Sequence, residues 1–188
     1  GATSVTHSAD AGVITAVFSA TAPGAAAKVA ITRASVGTSP GVAFTTQPQI
    51  TIQDSAGNTV TSSAAVVTAT VSAGGTLVGT LTATASSGVA TFSTLGIRGF
   101  GGTAYTITYT ASGLTTATQS VTPSALIVGN TGPGGGKIFY VATSAGFKCG
   151  PATTEKCYYL EAASTTATTN PWTDALYAWS GNTTDLIG

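Results

Sequence analysis

Apolar and polar residues alternate with period two through much of this chain, most plainly in Ala104-Tyr105-Thr106-Ile107-Thr108-Tyr109-Thr110. Successive side chains of a strand point to opposite faces, so Tyr105, Ile107 and Tyr109 share one face and the threonines the other. One face is core and the other meets water. The same reading predicts strands over 28–34, 44–53, 59–62, 65–72, 79–85, 89–95 and 104–111, with 115–121 as a further candidate. Turn clusters separate them at the spacing of an antiparallel β-sandwich. Asp54-Ser55-Ala56-Gly57-Asn58 reads as a hairpin turn, with Gly57 and Asn58 suited to positive φ. It is not a calcium loop, because Asp54 is the only acid between Asp10 and Glu155.

The segments flanking this region read differently. Residues 1–24 are too few to fold alone, although Val13 to Phe18 is strand-like and Asp10-Ala11-Gly12 turn-like. Three roles fit, in order: the tail of a preceding repeat, a hairpin packed on the sandwich, or a strand that pairs with a neighbouring subunit. Pro123-Ser124 reads as a linker, and Ala125 to Val128 as the first strand of a second unit. Gly129 to Lys137 is glycine-rich but is no phosphate loop. Thr131 stands where the first glycine of that motif belongs, Ile138 replaces its hydroxyl residue, and the residues after it are strand-like, not helical. The glycines read as a tight connection between strands.

Composition narrows the function classes. Only 6% of the 188 residues are charged, with six basic and six acidic side chains and no formal net charge. An average soluble protein has about 25% charged residues. Lys28, Arg33, Arg98, Lys137, Lys148 and Lys156 are scattered, so nucleic acid is not an expected partner. Thr, Ser and Gly interrupt every apolar stretch before the roughly 18 residues of a membrane span, so membrane insertion is not expected. Gly1 follows no charged start and apolar segment, which reads as a mature or excised chain.

Two stretches carry resemblances. Val128 to Tyr140, VGNTGPGGGKIFY, together with YYLEAA at Tyr158 to Ala163, resembles the C-terminal domain of bacterial collagen-like adhesins, which has a C-type-lectin-related fold. The match covers about the last third of the chain. Members usually continue beyond the position of Gly188, so an incomplete α+β unit is expected over 124–188. FTTQPQITIQDSAGNTV at Phe44 to Val60, then GVATF at Gly88 to Phe92 and YTITYT, resembles an immunoglobulin-like repeat of large bacterial surface proteins. The expected architecture is therefore mainly β: an immunoglobulin-like antiparallel sandwich over 25–123 and a small C-type-lectin-like domain after it. The resemblances imply an extracellular or cell-surface bacterial protein, or one on a virion. Partners would be a glycan or surface protein, or further copies of the chain in a fibre or lattice.

Catalytic chemistry is thin. His7 is the only histidine and has no nearby acid but Asp10. Glu161 and Asp174 are the one acid pair that a glycosidase reading has to work with, and nothing in their spacing sets a separation. No enzyme, metal or cofactor is expected. A Lys28 isopeptide bond lacks an asparagine on the last strands, which carry Gln119 instead. The threonine pairs at 68 and 70, 80 to 84 and 106 to 110 evoke an ice-binding face, but the wet side of a sheet explains them. Cys149 and Cys157 enclose a short Gly-Pro-led loop, and a disulfide between them is the first reading; it would stabilise by about 2–3 kcal/mol. Both tryptophans lie near the C-terminal end of the sequence. Candidate ligand-binding residues are Trp172, Trp179 and Tyr177, with Asn170 and Asp174 as polar partners. Most rings of so small a fold are expected to fill its core.

Overall fold

A computed structural model describes residues 3–7, 14–18, 22–37, 39–143, 146–149 and 155–162. Their regular structure is all strand: β1 (Thr3–His7), β2 (Ile14–Phe18), β3 (Lys28–Arg33), β4 (Gln49–Gln53), β5 (Val66–Val71), β6 (Thr76–Val78), β7 (Thr82–Thr84), β8 (Val89–Thr91), β9 (Gly96–Arg98), β10 (Tyr105–Thr110), β11 (Ala117–Val121), β12 (Ile138–Val141), β13 (Phe147–Cys149), β14 (Glu155–Cys157) and β15 (Tyr159–Glu161). Every pairing between these strands is antiparallel. The helical part of the α+β expectation has no counterpart among the described residues.

Two sheets share one core. The first runs β11-β10-β5-β7 and the second β3-β4-β8, with β6-β9 as a short ribbon. Tyr105, Ile107 and Tyr109 of β10 point inward as their alternation requires, and meet Val67 and Ala69 of β5. Ile50 and Ile52 of β4, Val29 of β3 and Ala90 of β8 enter the same core from the other sheet. Phe92 and Tyr109 stack at a tilt with ring centroids 5.7 Å apart. Each large apolar side chain so buried contributes about 1.5–3 kcal/mol, so apolar burial rather than charge holds the sheets together.

The strand expectations at 28–34, 65–72, 104–111 and 115–121 match β3, β5, β10 and β11. Where the structure differs, glycine, proline and a side-chain amide explain it. Only 49–53 of the stretch 44–53 is strand, because Pro48 has no N–H to give a ladder. Upstream of it the Gln47 side chain takes the place of a strand pairing. Its Nε2 donates to the carbonyls of Phe44 (2.8 Å) and Leu95 (2.9 Å), and its Oε1 accepts from Leu95 N–H at 2.9 Å. The stretch 79–85 narrows to β7, because Gly79 at φ +80° turns the chain after β6. β9 escaped prediction, since it begins at Gly96, where a Cβ would overlap the Val42 carbonyl. Residues 59–62 supply a single bridge, Gln53↔Thr59, closing the predicted turn at Asp54. Ser87 (φ 49°) and Gly88 (φ +78°) form a two-residue turn between Ser86 and Val89, a conformation in which both central residues need positive φ.

Of Pro123-Ser124, read as a linker, Pro123 is packed down while Ser124 stays exposed. Pro123 is fully buried, its carbonyl accepts from Gly102 N–H at 2.7 Å, and a Cβ on Gly101 would overlap the Ser124 carbonyl.

Candidate functional site

The glycine-rich loop folds around one acid. Gly132 N–H donates to the Gly136 carbonyl at 2.8 Å and Gly135 N–H to Gly132 at 3.0 Å, so the loop closes on itself before entering β12. Glu161, at the end of β15, pairs with Ile138 of β12 and is 6% exposed. A Cβ on Gly132 would overlap Glu161 Oε2, one on Gly134 would overlap Oε1, and one on Gly136 would overlap the Ala162 carbonyl. The alternate glycines are thus a seat for a carboxylate. Gly135 is glycine for a different reason, its φ of +87°. Burial pushes the Glu161 carboxyl above its usual range, while backbone N–H groups of Gly136 and Gly134 pull the other way. Oε2 has no hydrogen-bond partner.

Next to this seat, aromatic side chains join the unit to the two-sheet body. Tyr158 donates its hydroxyl to the Gly74 carbonyl at 3.0 Å, and its ring meets Phe100 edge-on with centroids 4.7 Å apart. Tyr105 presents its hydroxyl oxygen to Phe100 N–H at 2.8 Å. Tyr159 is pushed up to about 12, first by burial and then by the Glu161 charge, with Arg98 opposing. Burial and Tyr105 raise Tyr158, and Arg98 again opposes. Arg98 is therefore the cation that both phenols sense.

A cavity of about 210 Å³ opens where the two regions meet, lined among others by Ser39, Pro40, Ser124, Asn130, Thr131 and Pro133. Its lining carries hydroxyl and amide groups and no charged side chain.

Of the residues singled out from the sequence, the structure describes few. Trp172, Trp179, Tyr177, Asn170 and Asp174 lie outside the described residues, and so does any pairing of Glu161 with Asp174. β13 pairs with β14 in the register Phe147↔Cys157 and Cys149↔Glu155. Cys157 is buried and is not a free thiol, whereas the Cys149 side chain is not among those described. Sequence reasoning passed over the glycine–Glu161 seat, although its signal was present: glycines two apart at 132, 134 and 136, with a lone acid in the companion motif. Tyr158 and the Ser39-Pro40 wall carry no signal, because their partners are distant in sequence. Among the described residues no three His, Cys, Asp or Glu side chains gather as a metal site, and no helix is long and apolar enough to cross a membrane.

No protein-family model matches the chain, and no curated protein does. Among solved structures it is similar to a Parabacteroides merdae beta-glucuronidase (TM-score 0.40, 20% identity) and to the same enzyme with glycerol in its active site (TM-score 0.39, 20% identity). Each alignment covers 53% of this chain and only 12% of the enzyme. A likeness so slight and partial carries no argument about activity.

Proposed function

We propose that this chain is part of an extracellular modular adhesin or surface-fibre protein. In this reading an immunoglobulin-like stalk, residues 25–123, carries a C-type-lectin-like contact unit at 124–188 that meets a glycan or a surface protein. The observation that supports it most is the seating of Glu161 by Gly132, Gly134 and Gly136. The two halves of the signature that resembles the collagen-like adhesins, separated in sequence, meet as one structural unit. That placement favours a structural role for Glu161 over a catalytic one, because its carboxylate is enclosed by backbone. A disulfide between Cys149 and Cys157 belongs to the same reading and agrees with an oxidising compartment. An intact mass two hydrogens below the reduced value would establish it.

The test is a glycan array with the whole chain, a truncation ending at Ser124, and the Trp172→Ala and Trp179→Ala variants. Binding that disappears in the truncation and in one tryptophan variant supports a contact unit. Absence of binding by a monodisperse chain turns the assignment to a second reading, a purely structural subunit of a filament, surface layer or virion. One observation favours that reading. The outer face of the four-stranded sheet is an uncharged array in register, Thr82↔Thr68↔Thr110 beside Thr70↔Thr108↔Thr118, suited to close packing without charge repulsion. Electron microscopy of native material decides between the two, since a regular lattice or filament supports the structural subunit.

A further inference from the structure

We infer that the seam between β3 and β11, closed at its far end by the Gln119 side chain, is a shear lock that resists extension when the two ends of the two-sheet body are pulled apart. β3 and β11 are the first and last strands of that body. They meet at a parallel bridge, Lys28↔Thr115, whereas the ladders within the sheets are antiparallel. Val29 N–H donates to the Thr115 carbonyl at 2.9 Å, and Thr115 N–H donates to Ala27 at 3.0 Å. Further along both strands, Ser35 N–H donates to Gln119 Oε1 at 3.1 Å, and Gln119 Nε2 donates to the Ser35 carbonyl at 2.9 Å. The seam is thus tied near its start by backbone and near its end by an amide. Val29 and Ser35 are buried, so water competes poorly for these bonds.

The direction of the strands gives the seam its mechanical character. Because β3 and β11 run the same way, the chain enters β3 at one end of the seam and leaves β11 at the other. Tension between those points slides one strand past its neighbour and strains both pairs of bonds together. Tension applied to both strands at the Thr115 end opens the seam bond by bond, each bond bearing the force alone. Gln119 decides the difference: without its amide the backbone groups of Ser35 lose their partner, and the seam holds only at the Thr115 end. Such a lock suits the stalk in the proposed reading, and that use rests on it. The force response belongs to the two-sheet body and is measured without any ligand, so it stands or falls apart from glycan binding.

Forced unfolding is governed by the unfolding rate, which optical tweezers read at constant force on the full chain. Handles on azide-bearing residues at the exposed positions Ala22 and Ser124 load the seam in shear, and handles at Ala22 and the exposed Ser112 open it from the Thr115 end. The first geometry is expected to withstand severalfold higher force. There Gln119→Ala should raise the unfolding rate at a given force about tenfold or more, since two buried bonds are lost, and it should leave the second geometry nearly unchanged. Gln47→Ala removes three hydrogen bonds away from the seam, so it should lower stability in denaturant without accelerating unfolding in the first geometry. Equal forces in the two geometries, measured on a chain whose seam is unaltered, overturn the inference. So does a Gln119→Ala chain, folded by its thermal melt, that unfolds under shear no faster than the parent, or a Gln47→Ala chain that unfolds as fast as Gln119→Ala.

Discussion

Residues that look interchangeable in the sequence have distinct physical duties. Asp54 accepts from Asn58 Nδ2 at 3.0 Å, Gly24 N–H at 2.9 Å and Asn58 N–H at 2.8 Å. The Asn58 side chain first, and then the Gly24 amide, lower its carboxyl from 3.8 to about 2. A depressed carboxylate stabilises the fold above its unfolded value and loses that contribution as pH falls through the folded one. The acid limb of stability should therefore show a component between about 4 and about 2, visible in thermal melts, that Asp54→Ala abolishes while lowering the melting temperature at neutral pH. Glu161 has the opposite sign, since burial favours its protonated form. Among the glycines, Gly136→Ala drives a Cβ into the Ala162 carbonyl and should cost about 1–3 kcal/mol in denaturant unfolding, as over-packing does. Gly57→Ala meets open space, so its only penalty is the positive φ of 92°.

At the scale of elements, side-chain amides complete what the strands leave unfinished. Gln119 on β11 donates Nε2 to the Ser35 carbonyl at 2.9 Å and accepts from Ser35 N–H at 3.1 Å. One glutamine thus imitates the pairing of a strand at the exit of β3. Gln119→Ala should cost about 1–3 kcal/mol, because two backbone groups lose their partners, and hydrogen exchange at Ser35 should accelerate selectively. The alternation in 104–110 was legible because a strand with one dry face needs only local order to be recognised. Gln47 and Gln119 were not legible in these roles. A glutamine whose amide reaches a carbonyl 48 residues away, as Gln47 reaches Leu95, looks in sequence like any other polar residue.

For the whole molecule, the joint at Tyr158 decides whether the regions move as one. Tyr158→Ala removes the ring against Phe100 and the bond to Gly74, a loss of about 3–5 kcal/mol on the scale of buried aromatic truncations. Calorimetry should then resolve two transitions where the unaltered chain shows coupled unfolding. A chain with equal numbers of acidic and basic residues and only 6% charge should also associate almost independently of ionic strength. Light scattering across a salt series checks this, and steep dissociation at high salt would contradict it. By itself the sequence determined the β character, most strand positions, the Asp54 turn and the low electrostatic content, since these arise from local alternation, turn residues and composition. Only tertiary structure decided which strands share each sheet, that Pro123 is packed rather than loose, and that three alternate glycines seat Glu161. Those features depend on contacts between residues far apart in the chain, which local periodicity does not encode.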